Sequence, residues 1–451
     1  MRVGVVTLGC DKNTVDNEYL AGLLTRQGVE CIAVNKPEDN ADNTLDAVVI
    51  TTCAFTEEAR EENIGRIVEW AEAKQESARL KRLYLSGCLT QRYADELIRE
   101  FPEIDGLVGV GQWTQLAAMI TADAPERTHP QPDRSVVLVD LKEQLPRAPL
   151  DNRPYAYLKI SDGCNHQCTF CSIPLMKGRM SSVPREIVLH EARGLIERGA
   201  REINIVAQDS GDYGRDRYED YRLDRLVEDL IALDGDFRVR LLYCYPMGVT
   251  ERLIELLAGH PKVCNYLDMP LQHLDREVLR RMKRPHSEMH AEELIGRLRE
   301  RAPEIALRTT FITGFPGETD AAFENLLEGV RRIQFDWLGA FTFSREEGTP
   351  SAEMPDQIPD ALKQERYERL MIEQQSITEA KLRARVGSVE RVLIEAQAEE
   401  PENCYAGRSE KEAPEVDGLI FVESEKKLTP GAIVSAQIIN SGPYDLFASM
   451  K

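Results

Sequence analysis

The chain has 451 residues, of which 42% are hydrophobic, and this is enough for two to four globular domains with buried cores. Lysine and arginine number 56 against 77 aspartate and glutamate residues, and the net charge of −21 repels phosphate backbones and favours basic partners. An ordinary acidic surface explains the same charge, so charge alone excludes neither a protein nor a nucleic-acid partner.

Ten cysteines are too sparse for a secreted domain held together by disulfides, so we expect a cytoplasmic protein whose thiols are available to metals. The N-terminus is apolar only from Val3 to Leu8, and no apolar run approaches the ~18 residues of a membrane span. We therefore predict no membrane partner and a buried first strand.

The first 120 residues alternate apolar runs with helical patterns, which is typical of a parallel sheet covered by helices. The predicted strands are 3–8, 47–51 and 83–85, and the predicted helices are 17–26, 57–73 and 93–100. A cysteine follows each of these strands: Cys10, Cys53 and Cys88. Loops after parallel strands lie along one edge of the sheet, so these thiols can meet in space. The alternative is three unrelated buried thiols.

Residues 121–150 are rich in proline, aspartate and arginine and predict a linker. Strand-like runs then alternate with helical patterns over residues 151–380. The predicted strands are 155–160, 202–206, 239–242, 266–268, 306–312 and 337–343. Six such units are too few for a closed eight-stranded barrel, so we predict a partial (β/α)6 barrel with an open side. Its chemistry would lie at the carboxyl ends of the strands.

Cys164, Cys168 and Cys171 follow the first of these strands within one short loop. Three thiolates can hold three corners of a 4Fe-4S cube and leave the fourth iron open for a small ligand. The alternative is a zinc site completed by His166. Zinc is disfavoured because a structural zinc site usually has two separated pairs of ligands, and no second pair lies near this loop in the sequence.

The last part of the chain changes character after a predicted long helix at 360–385. Five short β-rich runs follow within residues 381–451, and they predict a small all-β, OB-like barrel. This segment has nine lysine and arginine residues against twelve aspartate and glutamate residues. The predicted class is therefore α/β, with an N-terminal parallel-sheet domain, a partial barrel and a C-terminal β-barrel.

The spacing of the cysteine loop, with Phe170 directly before its last cysteine, resembles the signature of the radical S-adenosylmethionine (SAM) enzymes. This resemblance implies that the amine and carboxylate of SAM bind the open iron. It also implies that one electron from the cube cleaves SAM to a 5′-deoxyadenosyl radical, while the protein positions the cofactors and excludes water.

Cys10, Cys53 and Cys88 combine with the cysteine loop into a pattern of six cysteines. With this pattern the chain resembles the methylthiotransferase family of radical SAM enzymes over its whole length. The motifs that carry the resemblance lie at residues 7–13, 162–174, 269–273, 313–319 and 345–350. The family implies an auxiliary-cluster domain at 1–120, a radical SAM barrel with its connecting helix at 151–380 and a TRAM domain at 381–451.

The resemblance implies two 4Fe-4S clusters, one on each cysteine triplet, and SAM as the further cofactor. It implies insertion of a methylthio group at an unactivated C–H bond, with no catalytic residue predicted beyond the cluster ligands. Phe170, Gln208, Thr310 and Phe315 are the candidates for SAM contacts, because they lie in the cysteine loop or near the carboxyl ends of predicted strands.

One branch of this family modifies an adenosine of tRNA, of the isopentenyladenosine type, and the other modifies the β-carbon of an aspartate in small-subunit ribosomal protein twelve. Residues 9–16 and 172–179 are similar to the protein-modifying branch, and an acidic terminal domain suits a basic ribosomal protein better than tRNA. The expected partners are that protein or the small subunit, and an electron donor such as flavodoxin or ferredoxin. A non-catalytic iron-sulfur or zinc docking scaffold is the alternative from another class.

Overall fold

A computed structural model of the protein describes residues 1–122, 145–284 and 287–450, without the side chains of residues 287–290. The predicted linker lies mostly outside these residues, and the predicted division of the chain at 120, 150 and 380 stays a prediction. Within the described part of the chain, no helix combines the length and apolar character needed to cross a membrane.

The N-terminal region is a five-stranded parallel sheet with the order β2-β1-β3-β4-β5. Its strands are β1 Arg2–Thr7, β2 Glu30–Ala33, β3 Ala47–Thr52, β4 Arg82–Gly87 and β5 Gly106–Leu107. Its helices are α1 Asp11–Arg26, α2 Glu57–Glu76, α3 Cys88–Glu100 and α4 Trp113–Thr121. The three predicted strands are present, whereas β2 and β5 were not predicted because one is short and only partly buried and the other has two residues.

Two helices begin earlier than their apolar periodicity predicts. Helix α1 begins at Asp11 rather than at residue 17, and α3 begins at Cys88 but kinks at Tyr93, the residue at which the predicted helix starts. The added first turns carry buried polar side chains, among them Asn13 and Thr90. Periodicity misses these turns because their polar groups face protein rather than water, and this burial places them beside the predicted cysteine loops.

The middle region is a six-stranded parallel sheet with the order β6-β9-β10-β11-β12-β13, as predicted for a partial barrel. Its strands are β6 Tyr155–Lys159, β9 Glu202–Val206, β10 Arg238–Leu241, β11 Val263–Asp268, β12 Ala306–Thr313 and β13 Trp337–Thr342, with a small hairpin of β7 Ser161–Asp162 and β8 Ser181–Ser182. Its helices are α5 Ile173–Lys177, α6 Arg185–Glu197, α7 Leu223–Ile231, α8 Glu251–Gly259, α9 Arg276–Arg281, α10 Ser287–Arg301 and α11 Asp320–Ile333.

Helix α12, Asp360–Ala384, connects the large, six-stranded partial barrel to a small, closed five-stranded barrel. The strands are β14 Val389–Gln397, β15 Cys404–Arg408, β16 Ile420–Glu423, β17 Ile433–Ser441 and β18 Leu446–Ser449. Closure removes the exposed sheet edges of this small barrel. The predicted fold class is therefore confirmed in all three parts.

Helices α1 and α4 of the N-terminal region share one apolar core with the large barrel. Val15, Tyr19 and Trp113 belong to the same buried cluster as the barrel strands. The Tyr19 hydroxyl donates a 2.6 Å hydrogen bond to Glu191 of α6, which places a polar contact at the edge of this core. Shared burial of this kind holds the two parts in one orientation, because separating them would expose apolar surface to water.

The small C-terminal barrel docks on the opposite end of the large barrel through the Glu202 carboxylate. Glu202, the first residue of β9, is fully buried and lies 3.0 Å from Arg240 Nη2 and 2.9 Å from Arg408 Nη1. Arg408 comes from the small barrel, at the end of β15. Burial alone would raise the pKa of Glu202, but Arg240, Arg408 and Arg238 hold it well below its usual range. The carboxylate is therefore charged and joins the two barrels.

Replacement of this carboxylate is expected to loosen the joint. Glu202→Gln leaves the buried guanidinium groups of Arg240 and Arg408 without their shared counter-charge, and removing one partner of a buried ion pair costs about 3–5 kcal/mol. We expect the free energy of unfolding, measured by urea denaturation, to fall by about that amount.

Glu304→Gln is the matched control, because Glu304 also pairs with the small barrel, through Lys411 at 3.0 Å, but its side chain is 79% exposed. An exposed pair contributes about 0–1 kcal/mol. Equal losses in the two variants would contradict a special role for the buried carboxylate.

Candidate active site

Cys10, Cys53 and Cys88 follow β1, β3 and β4, which are adjacent parallel strands of the N-terminal sheet. Cys10 precedes the first turn of α1, and Cys88 is the first residue of α3. The carboxyl ends of parallel neighbours lie side by side, so three thiols separated by long stretches of sequence share one edge. The structure thus brings together the residues predicted for one of the two triplets.

Polar side chains hold these cysteine loops in place. The Asn13 side-chain amide donates to the carbonyls of Leu8 and Thr52, at 2.7 and 3.3 Å, and so joins the loops that carry Cys10 and Cys53. The backbone N–H of Cys53 donates to Asn63 Oδ1 at 2.8 Å. Satisfying buried backbone groups in this way keeps irregular loops rigid without regular secondary structure.

The second triplet lies in a loop between β7 and α5 at the mouth of the large barrel. Thr169, inside this loop, forms two backbone hydrogen bonds with other segments. Its N–H donates to Met282 O at 3.1 Å, and its carbonyl accepts from Ser351 N at 3.0 Å. Cys164, Cys168 and Cys171 are all half-buried. The loop is therefore anchored to the barrel while its thiols keep some exposure.

Burial raises the pKa of thiols in both triplets, to about 11 for Cys53 and to about 12 for Cys164 and Cys171. In each triplet a neighbouring cysteine adds to the rise, which shows that the thiols are close enough to repel one another as thiolates. A bound cation reverses this balance because it stabilises thiolates directly. The donor sets therefore suit metal ligation.

His166, the fourth ligand of the zinc alternative, makes a different contact. Its Nε2 lies 2.6 Å from Asp209 Oδ2, and its ring packs against Tyr245 with 4.5 Å between centroids. The histidine therefore links the cysteine loop to the segments that follow β9 and β10.

A buried charge network connects the two cysteine sites. Asp162, two residues before Cys164, lies 3.0 Å from Lys177 Nζ and 3.5 Å from Lys159 Nζ. Lys159 also pairs with Asp16 of α1, and Lys177 opposes the burial effects that raise the pKa of Cys88. Burial alone would raise the pKa of Asp162, but Lys177 and Lys159 lower it. The network therefore consists of charged groups and spans both domains.

A cavity of about 80 Å³ is lined by residues next to both cysteine triplets. Phe55 lies two residues after Cys53, and Phe170 directly precedes Cys171. Thr310 lines the same cavity. A second cavity of about 630 Å³ shares the residues 342–344 with the first and is in the size range of small-molecule sites.

The four residues predicted for SAM contacts have different surroundings. Phe170 and Thr310 line the cavity, whereas Gln208 donates to Asp162 Oδ1 at 2.8 Å and so belongs to the charge network. Phe315 is fully buried and packs edge-on against Phe170, with 6.5 Å between ring centroids. Its place beneath Phe170 suits support of that ring.

Sequence reasoning missed the basic residues around these sites. Lys177 lies within residues 172–179, which are similar to the protein-modifying branch. No sequence pattern showed that its charge would act on Cys88 of the other triplet. Lys12 is buried, pairs with Asp11 at 2.9 Å and lies 3.1 Å above the Tyr243 ring of the barrel. Arg284 carries no motif signal at all. A buried cation beside a cysteine loop is the general clue, but burial is not visible in one sequence.

Family models match three separate parts of the chain. Residues 158–330 match the radical SAM superfamily, residues 386–450 match the TRAM domain, and residues 2–109 match the Uncharacterized protein family UPF0004. Among solved structures, the radical SAM methyltransferase TsrM from Kitasatospora setae is similar with a TM-score of 0.57, 17% identity and coverage of 78% of this chain and 76% of that chain. The cobalamin-dependent SAM radical enzyme OxsB gives a TM-score of 0.55 at 15% identity, over 83% of this chain and 56% of that chain.

The fold, with an anchored three-cysteine loop at the mouth of a partial barrel, is that of a radical SAM enzyme, the class that uses a 4Fe-4S cluster and SAM. Two full-length relatives narrow the class. "Ribosomal protein uS12 methylthiotransferase RimO" of Desulforudis audaxviator is 44% identical over 99% of this chain and 96% of its own length, and its namesake in Geobacter sulfurreducens is 42% identical over 100% and 98%. The chain belongs to this family of radical SAM methylthiotransferases.

Gly9 is expected to be essential for the loop that carries Cys10. Its φ is +90°, and a Cβ at this position would lie 2.5 Å from Cys53 Cβ, which is closer than real atoms approach. We expect Gly9→Ala to displace Cys10 relative to Cys53 and to lower the iron content of the protein, measured by iron and sulfide analysis after anaerobic reconstitution.

Gly28→Ala is the control, because Gly28 also has a positive φ, +77°, but an added Cβ would meet no atom within 4 Å. It therefore carries the backbone strain without the collision. If both variants lost iron equally, strain alone would be responsible and the contact with Cys53 would be irrelevant.

Proposed function

We propose that the protein inserts a methylthio group at the β-carbon of an aspartate in ribosomal protein uS12. The observation that carries this proposal is that residues next to both cysteine triplets border one cavity: Phe55, two residues after Cys53, and Phe170, directly before Cys171, both line it. Full-length relatives at 44% and 42% identity carry the name of this activity, which supports it.

Cys164, Cys168 and Cys171 are the proposed ligands of the radical SAM cluster, and Cys10, Cys53 and Cys88 are those of a second, auxiliary 4Fe-4S cluster. When bound, the first cluster and SAM supply the radical that removes a hydrogen atom, and the second supplies sulfur that a further SAM methylates. The chain's own part is to hold the two triplets on facing loops and to exclude water.

Phe170, Thr310 and Gln208 are the proposed SAM contacts. The ring of Phe170 and the hydroxyl of Thr310 both border the cavity, and the Thr310 hydroxyl accepts from Arg308 at 3.3 Å. Gln208 Oε1 is buried without a hydrogen-bond partner, so it retains an acceptor for a ligand. Phe315 contributes by supporting Phe170.

The charge of the small barrel supports a basic protein as substrate. Five of its seven exposed acidic residues lie on or at the edge of two neighbouring loops, which the hydrogen bond from Ser424 N to Asn403 O joins at 3.0 Å, and Lys426 and Lys427 are exposed beside them. The five are Glu399, Glu400, Glu402, Glu423 and Glu425. A tRNA-binding surface is expected to be basic, because phosphate contacts dominate affinity for nucleic acids.

A flavodoxin or ferredoxin is the proposed electron donor, since the radical step consumes one electron from outside the protein. The small ribosomal subunit and such donors are cytoplasmic, and we propose the same location for this enzyme.

Removal of each triplet separately tests the two-cluster proposal. We expect about eight iron atoms per chain in the reconstituted protein and about four in either C10A/C53A/C88A or C164A/C168A/C171A, because each cube holds four. With dithionite and SAM, only the variant that keeps Cys164, Cys168 and Cys171 is expected to release 5′-deoxyadenosine, and neither is expected to transfer a methylthio group.

Cys31→Ala serves as the control, since Cys31 lies in strand β2 and belongs to neither triplet. It is expected to keep full iron content. Release of 5′-deoxyadenosine by C164A/C168A/C171A would contradict the assignment of the radical site.

Mass spectrometry of cells that lack the gene tests the substrate. We expect uS12 to lose the methylthio mass and tRNA nucleosides to be unchanged. Complementation with the wild-type gene is expected to restore the mass, whereas C10A/C53A/C88A is not. Loss of a methylthio group from tRNA with unchanged uS12 would overturn the substrate proposal and leave the radical chemistry intact.

A further inference from the structure

Arg284 reaches the cysteine loop from the other side of the barrel mouth. Only 7% of the residue is exposed, and its Nη1 donates to Cys168 Sγ at 3.3 Å. Its Nη2 donates to Pro270 O at 2.7 Å, which orients the guanidinium plane. Cys168 thus receives a hydrogen bond from a cation, and neither the motifs nor the family comparisons assign a role to this contact.

An aromatic stack holds Arg284 in this position. The Arg284 guanidinium carbon lies 4.4 Å from the centroid of the Tyr245 ring, and the ring of His166 lies 4.5 Å from the same ring. His166 is in turn bound to Asp209. Arginine commonly stacks on aromatic faces while its N–H groups bind elsewhere, so the two contacts reinforce each other. The guanidinium is therefore held on its face by the Tyr245 ring and at its edge by the carbonyl of Pro270.

The positive charge of Arg284 stabilises negative charge on the sulfur of Cys168. A guanidinium stays protonated at any physiological pH, so the contact carries a full positive charge. Hydrogen bonds to the ligand sulfurs and the net charge nearby set the potential of an iron-sulfur cluster.

Asp209 is the opposing charge beside the cysteine loop, since its Oδ2 lies 2.6 Å from Nε2 of His166 in that loop. Its carboxylate already accepts from the N–H groups of Gly211 and Tyr245, at 2.8 and 3.2 Å, and contacts His166. These contacts spread its negative charge over several donors. Arg284 contacts a ligand sulfur directly and so has the larger influence on Cys168.

We propose that Arg284 is a positioning residue that raises the reduction potential of the cube held by Cys164, Cys168 and Cys171. One electron from an external donor adds one negative charge to the cube and its sulfurs, and the Arg284 guanidinium stabilises that charge through Cys168. The effect makes the electron easier to deliver. This inference depends on the proposed placement of the radical SAM cluster, but not on the identity of the substrate.

The midpoint potential, measured by EPR-monitored dithionite titration without SAM, tests this role. In the C10A/C53A/C88A background only one cube titrates. We expect Arg284→Met to lower its potential, because both the charge and the hydrogen bond are lost, and Arg284→Lys to give an intermediate value, because lysine keeps the charge but not the two-pronged geometry. Iron content is expected to stay at the level of the background protein.

Arg281→Met is the matched control. Arg281 ends helix α9, three residues before Arg284, but its guanidinium faces Asp356 and Pro355 rather than a cysteine. Its removal is expected to leave the potential unchanged. In the C164A/C168A/C171A background, Arg284→Met is expected to leave the auxiliary cube unaffected.

An unchanged potential in Arg284→Met with full iron content would overturn the proposal, and so would an equal shift in Arg281→Met. If Arg284→Met lost its cube, Arg284→Lys would decide: a wild-type potential there, or loss of its cube as well, would refute the tuning role. Absence of any cube in the C10A/C53A/C88A background itself would instead refute the cluster assignment.

Discussion

The carboxylate of Asp162 is the contact on which the arrangement of this molecule depends. It precedes the radical loop by two residues and is buried among Lys159, Lys177 and Gln208. Because Lys159 also pairs with Asp16 and Lys177 lies near Cys88, this one carboxylate ties the barrel loop to the N-terminal domain. Buried charges are costly to leave unpaired. The network therefore strongly favours the one relative orientation of the two domains in which each charged side chain has its partner.

That arrangement brings together the carboxyl edges of two different parallel sheets, each of which carries one cysteine triplet. Each edge is the carboxyl end of its strands, where loops are free to carry functional groups without interrupting the sheet. The small barrel is joined to the opposite end, through Glu202 and Arg408. The cysteine loop and the attachment of the third domain thus lie at opposite ends of the large barrel.

Rigid positioning at the mouth comes from contacts made by polar and charged side chains. Asn13 joins two cysteine loops, Thr169 anchors the third, and Arg284 reaches Cys168 across the loop. These contacts explain why the polar first turns of α1 and α3 are buried although their composition suggests exposure. Groups that would destabilise an ordinary core are tolerated here because each has a hydrogen-bond or ionic partner.

Strand and helix order, the partial barrel and the small closed barrel were predictable from the sequence, because alternation and helical periodicity are local properties of a chain. The two cysteine triplets were also predictable, one from its spacing and the other from its place after three strands. Only the tertiary structure decided that Lys177 approaches Cys88, that Phe315 lies beneath Phe170 and that Arg284 binds a sulfur 116 positions away. Such contacts join side chains from distant elements, and their geometry depends on packing, which leaves no periodic trace in the sequence.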